Sequence, residues 1–279
     1  MKSVNRIVVT AFVAASLSVG CGQREVSVLT YNVAGLPQGV SASSPAQNTE
    51  RISERLNDYD LVLVQENFAY HQELLEHSDH PHTLPSLDDP SVFNASGLTR
   101  FSRLVPDAFQ QWAWQACHGV ESAGSDCLGS KGFSFAIHEV ELDKTTVAID
   151  VYNLHMDAGD GPGDDAARRS QARQLLETIA SRSRGNPVIV AGDTNVAVPW
   201  EEPLALLASA GFLDACTELD CPQPELIDRV LYRSSSFVVI EPIRWRVPET
   251  FVDEQGEPLS DHVPVAVDFV VSVGGAWEE

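Results

Sequence analysis

Basic residues are scarce in this chain: 18 Lys and Arg stand against 40 Asp and Glu, a formal net charge of -22, and Lys and Arg nowhere form a run. Proteins that grip nucleic acid carry a basic stripe, because neutralising phosphates supplies most of their non-specific affinity. Nucleic acid is therefore a disfavoured partner, although acidity that only keeps a protein soluble would look the same. Long apolar stretches are missing as well, since the run from Ile7 to Val19 is too short to span a bilayer comfortably. Cysteine is sparse, five in all, and its spacing does not match the Cys-x-x-Cys knuckles of zinc sites. No internal repeat, low-complexity linker or second composition regime occurs, which leaves one α/β domain as the simplest reading. A hydrophobic fraction of 43% is ordinary for a chain with a buried core and argues against disorder as the main state.

What the first residues do contain is a leader. Lys2 and Arg6 precede the apolar run, which meets small residues and then Cys21, the layout of a secretory signal over residues 1–20. Its removal would take the net charge from -22 to -24. Cleavage before Cys21 would leave that thiol at the new N-terminus. Ser18-Val19-Gly20-Cys21 resembles the lipobox of bacterial lipoproteins, with Leu17 one place earlier than the usual leucine. Lipidation of Cys21 and an outer-membrane or cell-surface location are expected, with a periplasmic or secreted protein as the alternative. The remaining cysteines fall in local pairs, Cys117 with Cys127 and Cys216 with Cys221, which read as disulfides in an oxidising compartment. Residues 21–279 are expected to form a single catalytic domain acting as a monomer.

Short apolar β-branched runs alternate with amphipathic stretches. Strands are expected at Val26–Asn32, Leu61–Gln65, Phe133–His138, Val147–His155, Val188–Gly192, Ile227–Tyr232 and Val263–Val271. Asn48 and Thr49 are candidate caps for a helix containing Ile52 and Leu56. A longer helix runs from about Asp164 to Ser183, with Ala172, Leu175, Leu176 and Ile179 as its buried stripe and Gly185 beyond its end, and Leu204–Ala210 is a third. Late strands separated by loops suit mixed sheets packed face to face with helices outside.

The informative residues are single polar side chains at the ends of apolar strands, because burying an unpaired carboxylate or imidazole is costly without a partner or a metal. Asn32 closes the first strand and Glu66 follows the second. His155 closes Val151-Tyr152-Asn153-Leu154-His155, and Asp193 and Asn195 follow Val188–Gly192. Asp228 sits in Leu226-Ile227-Asp228-Arg229-Val230, and Asp261-His262 open the last strand. Singly, each has a bland explanation: Asn32 as a turn former, Glu66 as a helix cap, Asp193 as part of a Gly-Asp turn. His71, His77, His80 and His82 look like a solvated or loop segment, and His118 and His138 carry no clear role. As a set, histidines, carboxylates and carboxamides emerging at strand ends make the first layer of contacts that phosphoryl transfer requires.

Thr30-Tyr31-Asn32-Val33, Gln65-Glu66, Asn153-Leu154-His155, Gly192-Asp193-Thr194-Asn195, Ile227-Asp228 and Ser260-Asp261-His262-Val263-Pro264-Val265 resemble, in order, the signature blocks of the endonuclease/exonuclease/phosphatase superfamily. Leu29–Pro37 and the stretch from Gly124 through Lys131-Gly132-Phe133 resemble the bacterial sphingomyelinase subgroup. Gly97–Arg103 resembles the family's strand after the first helices, but Asn94-Ala95-Ser96 supplies no acidic partner for His155. The later half also lacks a long aromatic hairpin for dipping into a bilayer, since Trp200, Trp245 and Trp277 are scattered.

The resemblance implies a four-layer α-β-β-α sandwich of two packed mixed sheets, like deoxyribonuclease I, and metal-dependent cleavage of a phosphoester. Mg²⁺ is the expected metal, with Mn²⁺ or Ca²⁺ as alternatives, and oxygen ligands suit it. It implies Glu66, Asn32 and Asp261 as metal ligands, and His262 as general base with Asp228 orienting its ring. His155 would donate to a phosphate oxygen, Asp193 would position water or the leaving group, and Asn195 would bond the phosphate. Lys131 could hold the anionic phosphate or be an ordinary loop lysine. The expected function is a phospholipase C-type phosphodiesterase acting on a phospholipid or sphingomyelin, with an extracellular nuclease and a non-catalytic lipoprotein as alternatives.

Overall fold

A computed structural model describes residues 22–39, 44–85, 96–119, 127, 131–197 and 201–274. The leader, Cys21, Asn94, Ala95, Trp200, Trp277 and most of the Gly124–Ser130 stretch lie outside the described residues.

The elements in chain order are β1 (Gln23–Asn32), α1 (Pro45–Arg55), β2 (Leu61–Gln65), α2 (His71–Leu75), β3 (His82–Leu84), β4 (Thr99–Ser102), β5 (Val105–Ala113), β6 (Gly132–Leu142), β7 (Thr145–His155), α3 (Pro162–Arg182), β8 (Val188–Asp193), α4 (Glu202–Ser209), β9 (Leu213–Asp214), α5 (Ala215–Glu218), β10 (Asp228–Arg233), β11 (Val238–Arg246) and β12 (Val265–Val273). They build two six-stranded sheets, ordered β11-β12-β1-β2-β4-β3 and β5-β6-β7-β8-β10-β9. Both are mixed: β1 runs parallel to β2 and β7 parallel to β8, while the other pairings are antiparallel. The parallel pairs need crossovers, which α1 and α3 supply.

Side-chain alternation explains the layers. On β1, Val26 and Val28 face the gap between the sheets, whereas Leu29 and Tyr31 face α1 and α2 through Ile52, Leu56 and Leu74. On β2, Leu61 and Leu63 take the inner face and Val62 and Val64 the helix face. In the second sheet Ile149, Val151, Ile189 and Ala191 point inward, while Tyr152, Leu154, Val188 and Val190 meet Ala172, Leu175 and Ile179 of α3 and Leu204 and Leu207 of α4. Strands buried on both faces read as continuous apolar runs, as in Leu61–Val64. The result is the expected four-layer α-β-β-α sandwich.

Several local expectations need correction. Helix α1 starts at Pro45 behind Ser44, not at Asn48 or Thr49; proline's fixed φ and missing N–H suit the first helical position. The Asn48 amide donates to Leu259 O (2.9 Å) and the Thr49 hydroxyl to Pro45 O (2.7 Å), so neither side chain caps. The last strand begins at Val265, which leaves Asp261 and His262 in the preceding loop. Strands β5 and β11 went unread because both are sheet edges, half exposed and interrupted by Pro106 and Pro242. His71, at the start of α2, and His80 are buried rather than solvated, and His138 on β6 is fully buried.

Candidate active site

The inner face changes character along each strand that reaches one end of the sandwich. On β1 it reads Val26, Val28, Thr30, Asn32; on β2, Leu61, Leu63, Gln65; on β7, Ile149, Val151, Asn153, His155; on β8, Ile189, Ala191, Asp193; and on β10, running the other way, Tyr232, Val230, Asp228. The apolar inter-sheet layer thus gives way to a buried polar one, and the parity of each strand decides which polar residue looks inward. Parity would send Glu66 outward. Its left-handed backbone, φ 57°, turns the chain at the end of β2 and returns the carboxylate to Asn32. Gly35 permits this turn, since its N–H donates to Glu66 O (3.0 Å) and a Cβ there would stand 2.4 Å from that oxygen.

Asn32 is the hub. Its fully buried amide nitrogen lies 3.0 Å from Glu66 Oε1, 3.1 Å from Asp193 Oδ2 and 3.3 Å from His262 Nε2, while its Oδ1 accepts from the Ala34 N–H (3.0 Å). His262 Nδ1 faces Asp228 Oδ2 at 2.8 Å, so Nε2 is left for the site. His155 Nε2 lies 3.3 Å from Asp193 Oδ2 and 3.9 Å from Glu66 Oε1. Among the described residues, the carboxylates beside His155 come from β8 and the end of β2. Asp193 Oδ1 accepts from the Asn195 N–H (3.0 Å), and Asn195 itself adopts a left-handed φ of 51°, which asparagine tolerates. Asn195 Nδ2 and Lys131 Nζ both donate to Met156 O, at 3.1 and 3.3 Å, which brings the loops after β8 and before β6 to one carbonyl.

Crowded carboxylates set the electrostatics. Burial and then the Asp228 charge push the Asp193 carboxyl up to about 7. Burial pulls His262 down, but the hydrogen bond and charge of Asp228, with Asp193 and Asp261, outweigh it and lift the ring to about 9. The protein's own groups thus favour an imidazolium at pH 7, where a neutral ring was expected. Burial, with the charges of Lys131 and His262, holds His155 far below its ordinary range, and hence neutral. Asp193, Asp228 and His262 each bring a ligand atom within 4.8 Å of the others, and Asp228 Oδ1 is buried without a hydrogen-bond partner among the described residues. Surplus negative charge, an orphaned carboxylate oxygen and the Glu66 carboxylate alongside fit a hard divalent cation, whereas Asn32, expected as a ligand, turns its amide nitrogen to the cluster and its oxygen to the Ala34 N–H.

Asp261 is exposed beside the cluster, 3.4 Å from Ser260 Oγ. Ser260 was missed as a site residue. Its hydroxyl donates to Asn32 O (2.7 Å) and accepts from the His262 N–H (3.2 Å), which ties the His262 loop to the end of β1. A serine two residues before a histidine is the available signal, since such hydroxyls commonly bond the backbone two residues on. Both cysteine pairs are disulfides, with Cα atoms 5.3 Å apart for Cys117–Cys127 and 4.9 Å for Cys216–Cys221. Trp245, on β11, packs against the inter-sheet core. Among the described residues no helix is long and apolar enough to cross a membrane.

The model of the endonuclease/exonuclease/phosphatase family matches residues 29–262. A sphingomyelinase of Mycobacterium tuberculosis (strain ATCC 25618 / H37Rv) is 32% identical over 272 residues, covering 88% of this chain and 52% of its own length. The chain therefore spans about half the length of that curated relative. A doubly substituted beta toxin from Staphylococcus aureus, solved with bound magnesium ions, superposes with a TM-score of 0.63 at 16% identity, covering 88% of this chain and 99% of the toxin. D. rerio TDP2 complexed with a single-strand DNA product superposes equally well, with a TM-score of 0.63 at 18% identity over 88% of this chain and 98% of that one. These two structures share the fold.

Proposed function

The chain belongs to the endonuclease/exonuclease/phosphatase family, and from that premise we propose that it is a divalent-metal-dependent phosphodiesterase of the phospholipase C type, releasing the phosphorylated head group of sphingomyelin or a related phospholipid. The observation that carries the reading is the meeting, at Asn32, of Glu66, Asp193 and the Asp228–His262 pair from four separate strand ends and a loop. The 32% identity to a sphingomyelinase supports the lipid substrate, and the net charge of -22 disfavours a nucleic-acid polyanion.

Glu66 would hold the cation, with Asp261 as a further ligand and Asn32 steadying the Glu66 carboxylate through its amide nitrogen; when bound, Mg²⁺ supplies neutralisation of the phosphate's charge and of the leaving alkoxide. The chain's own groups do the rest. Asp228 fixes the His262 ring through Nδ1, so that Nε2 takes a proton from the attacking water. That role needs the neutral ring, and the carboxylates that favour the imidazolium are the ones whose charge a cation would offset. His155 and Asn195 donate to phosphate oxygens, Asp193 orients the water or leaving group, and Lys131 adds positive charge at the rim. The protein is exported and anchored through a lipid on Cys21, which would hold the site near a membrane surface.

The test is a substrate panel with the mature protein. Phosphocholine release from sphingomyelin vesicles, abolished by chelator and restored by Mg²⁺, with little cleavage of DNA, is the expected result. Efficient cleavage of DNA without phosphocholine release would replace the lipid reading with a nuclease. No turnover and no Mg²⁺ binding would leave a binding module. Unchanged membrane association of Cys21→Ala would remove the anchor.

A further inference from the structure

We propose that Gln65 and Asn153, to which the hydrolytic mechanism gives no part, are positioning residues: a carboxamide clamp between the sheets that sets how far apart the two halves of the site stand. The inference rests on the proposed phosphodiesterase reading for its kinetic consequence and on geometry for the clamp itself.

Gln65 immediately precedes Glu66, and Asn153 stands two residues before His155 on the same inner face. Both are fully buried. Gln65 Nε2 donates across the gap to Asn153 Oδ1 at 2.8 Å, and to Thr30 Oγ1 at 3.1 Å within its own sheet. Asn153 Nδ2 returns across the gap to Val64 O (3.0 Å) and Thr99 O (3.2 Å). One network therefore ties β7 of the second sheet to β1, β2 and β4 of the first. It lies directly beneath the cross-sheet contacts that make the site, Asn32 Nδ2 to Asp193 Oδ2 at 3.1 Å and Glu66 Oε1 to His155 Nε2 at 3.9 Å.

Stability alone does not call for such a pair, because replacing both partners of a buried hydrogen bond with apolar groups of the same shape is often neutral or stabilising. Elsewhere the sheets meet largely through apolar side chains such as Val, Leu and Ile, and, further from the site, through Arg100 of β4, which donates to Ser134 Oγ (2.8 Å) and Val151 O (3.2 Å) of the second sheet. Apolar contacts are non-directional and tolerate sliding, whereas a carboxamide pair is restricted in both distance and angle. Placed one step below Glu66 and His155, it fixes register along the strands and spacing between them, where a displacement of about 1 Å can cost on the order of 100-fold in rate.

The experiment compares wild type with Gln65→Met/Asn153→Leu, which keeps the volume and removes the clamp, and with Ile149→Ala, a core variant away from the site that serves as the stability control. Expected for the double variant are a folded protein, kcat lower by roughly 10- to 100-fold with KM little changed, and a crystal structure in which the Glu66–His155 separation has moved by about 0.5 Å or more. Ile149→Ala should keep kcat at temperatures where it is folded. If the double variant does not fold, Gln65→Met alone, which leaves Asn153 bonded to Val64 and Thr99, carries the same measurements. An unchanged separation with wild-type kcat overturns the clamp, as does a loss no greater than that of Ile149→Ala at matched stability. If wild type turns over no phosphodiester, the functional reading fails, and the clamp is judged on the separation alone.

Discussion

Replacing His138 with glutamine should remove a specific acid sensitivity from the fold. His138 lies on β6 in the inter-sheet layer, fully buried, with Nε2 3.4 Å from Arg100 Nη1 and Nδ1 3.2 Å from Ser102 Oγ. Burial first, and then the Arg100 guanidinium, push its pKa from 6.5 down to about 3; His82 adds to this and a backbone bond at Leu104 opposes it. The folded protein thus refuses a proton that the unfolded chain accepts below pH 6.5. The unfolded state binds more protons throughout that window, so stability present above pH 6.5 is lost as pH falls toward 3. From pH 7 to pH 5 this one group should cost about 2 kcal/mol. The carboxamide introduced by His138→Gln cannot titrate yet still offers an oxygen to Arg100. Urea denaturation of both proteins at pH 7, 6 and 5 and constant ionic strength gives the difference directly, and contributions from other groups, His262 included, cancel in it. Wild type should lose about 2 kcal/mol relative to His138→Gln. Parallel profiles, with a change under about 0.5 kcal/mol, would refute the assignment of His138 as a neutral buried ring.

Gly192 has φ 145°, and a Cβ there would stand 2.0 Å from Leu154 O on β7; Gly192→Ala should cost at least about 2 kcal/mol by chemical denaturation, through strain and a parted β7–β8 pair. Glu66→Gln keeps the shape of the side chain and removes its charge, so calorimetry should show Mg²⁺ affinity lower by roughly 10-fold or more, with the thermal midpoint of the metal-free protein little changed. Asp228→Asn would deprive His262 of its charged partner, and kcat should fall by roughly 100-fold or more at pH 7 while KM stays within a few fold.

Much of this architecture is written in the alternation of the central strands. Leu61–Gln65 could be read as a strand because both of its faces are buried, and the order of polar residues at the ends of β1, β7 and β8 identified Asn32, His155 and Asp193. The edge strands β5 and β11 were not legible. They bury one face only partly, and prolines interrupt them where a central strand could not accept one. Helix α1 was misplaced by one turn because Asn48 and Thr49 look like caps locally, yet one bonds Leu259, 211 residues away. That partner is invisible to local reasoning. The same limit hid the neighbours of His155, which lie on other strands, and the proton held by His262, which depends on three carboxylates brought together only by folding. The buried state of His71, His80 and His138 escaped for a related reason. Histidine composition looks alike in a loop and in a core, and only packing distinguishes them.

The central claim is that His262, oriented by Asp228 beside Glu66, Asn32 and Asp193, activates water for attack on a phosphodiester. The most direct measurement is phosphocholine release from sphingomyelin vesicles by mature wild-type protein and by His262→Ala at saturating Mg²⁺, with circular dichroism to confirm that both are folded. The account predicts turnover by wild type and a loss of roughly 10² to 10⁴ in the variant. A folded His262→Ala protein that hydrolyses the substrate at close to the wild-type rate would contradict it.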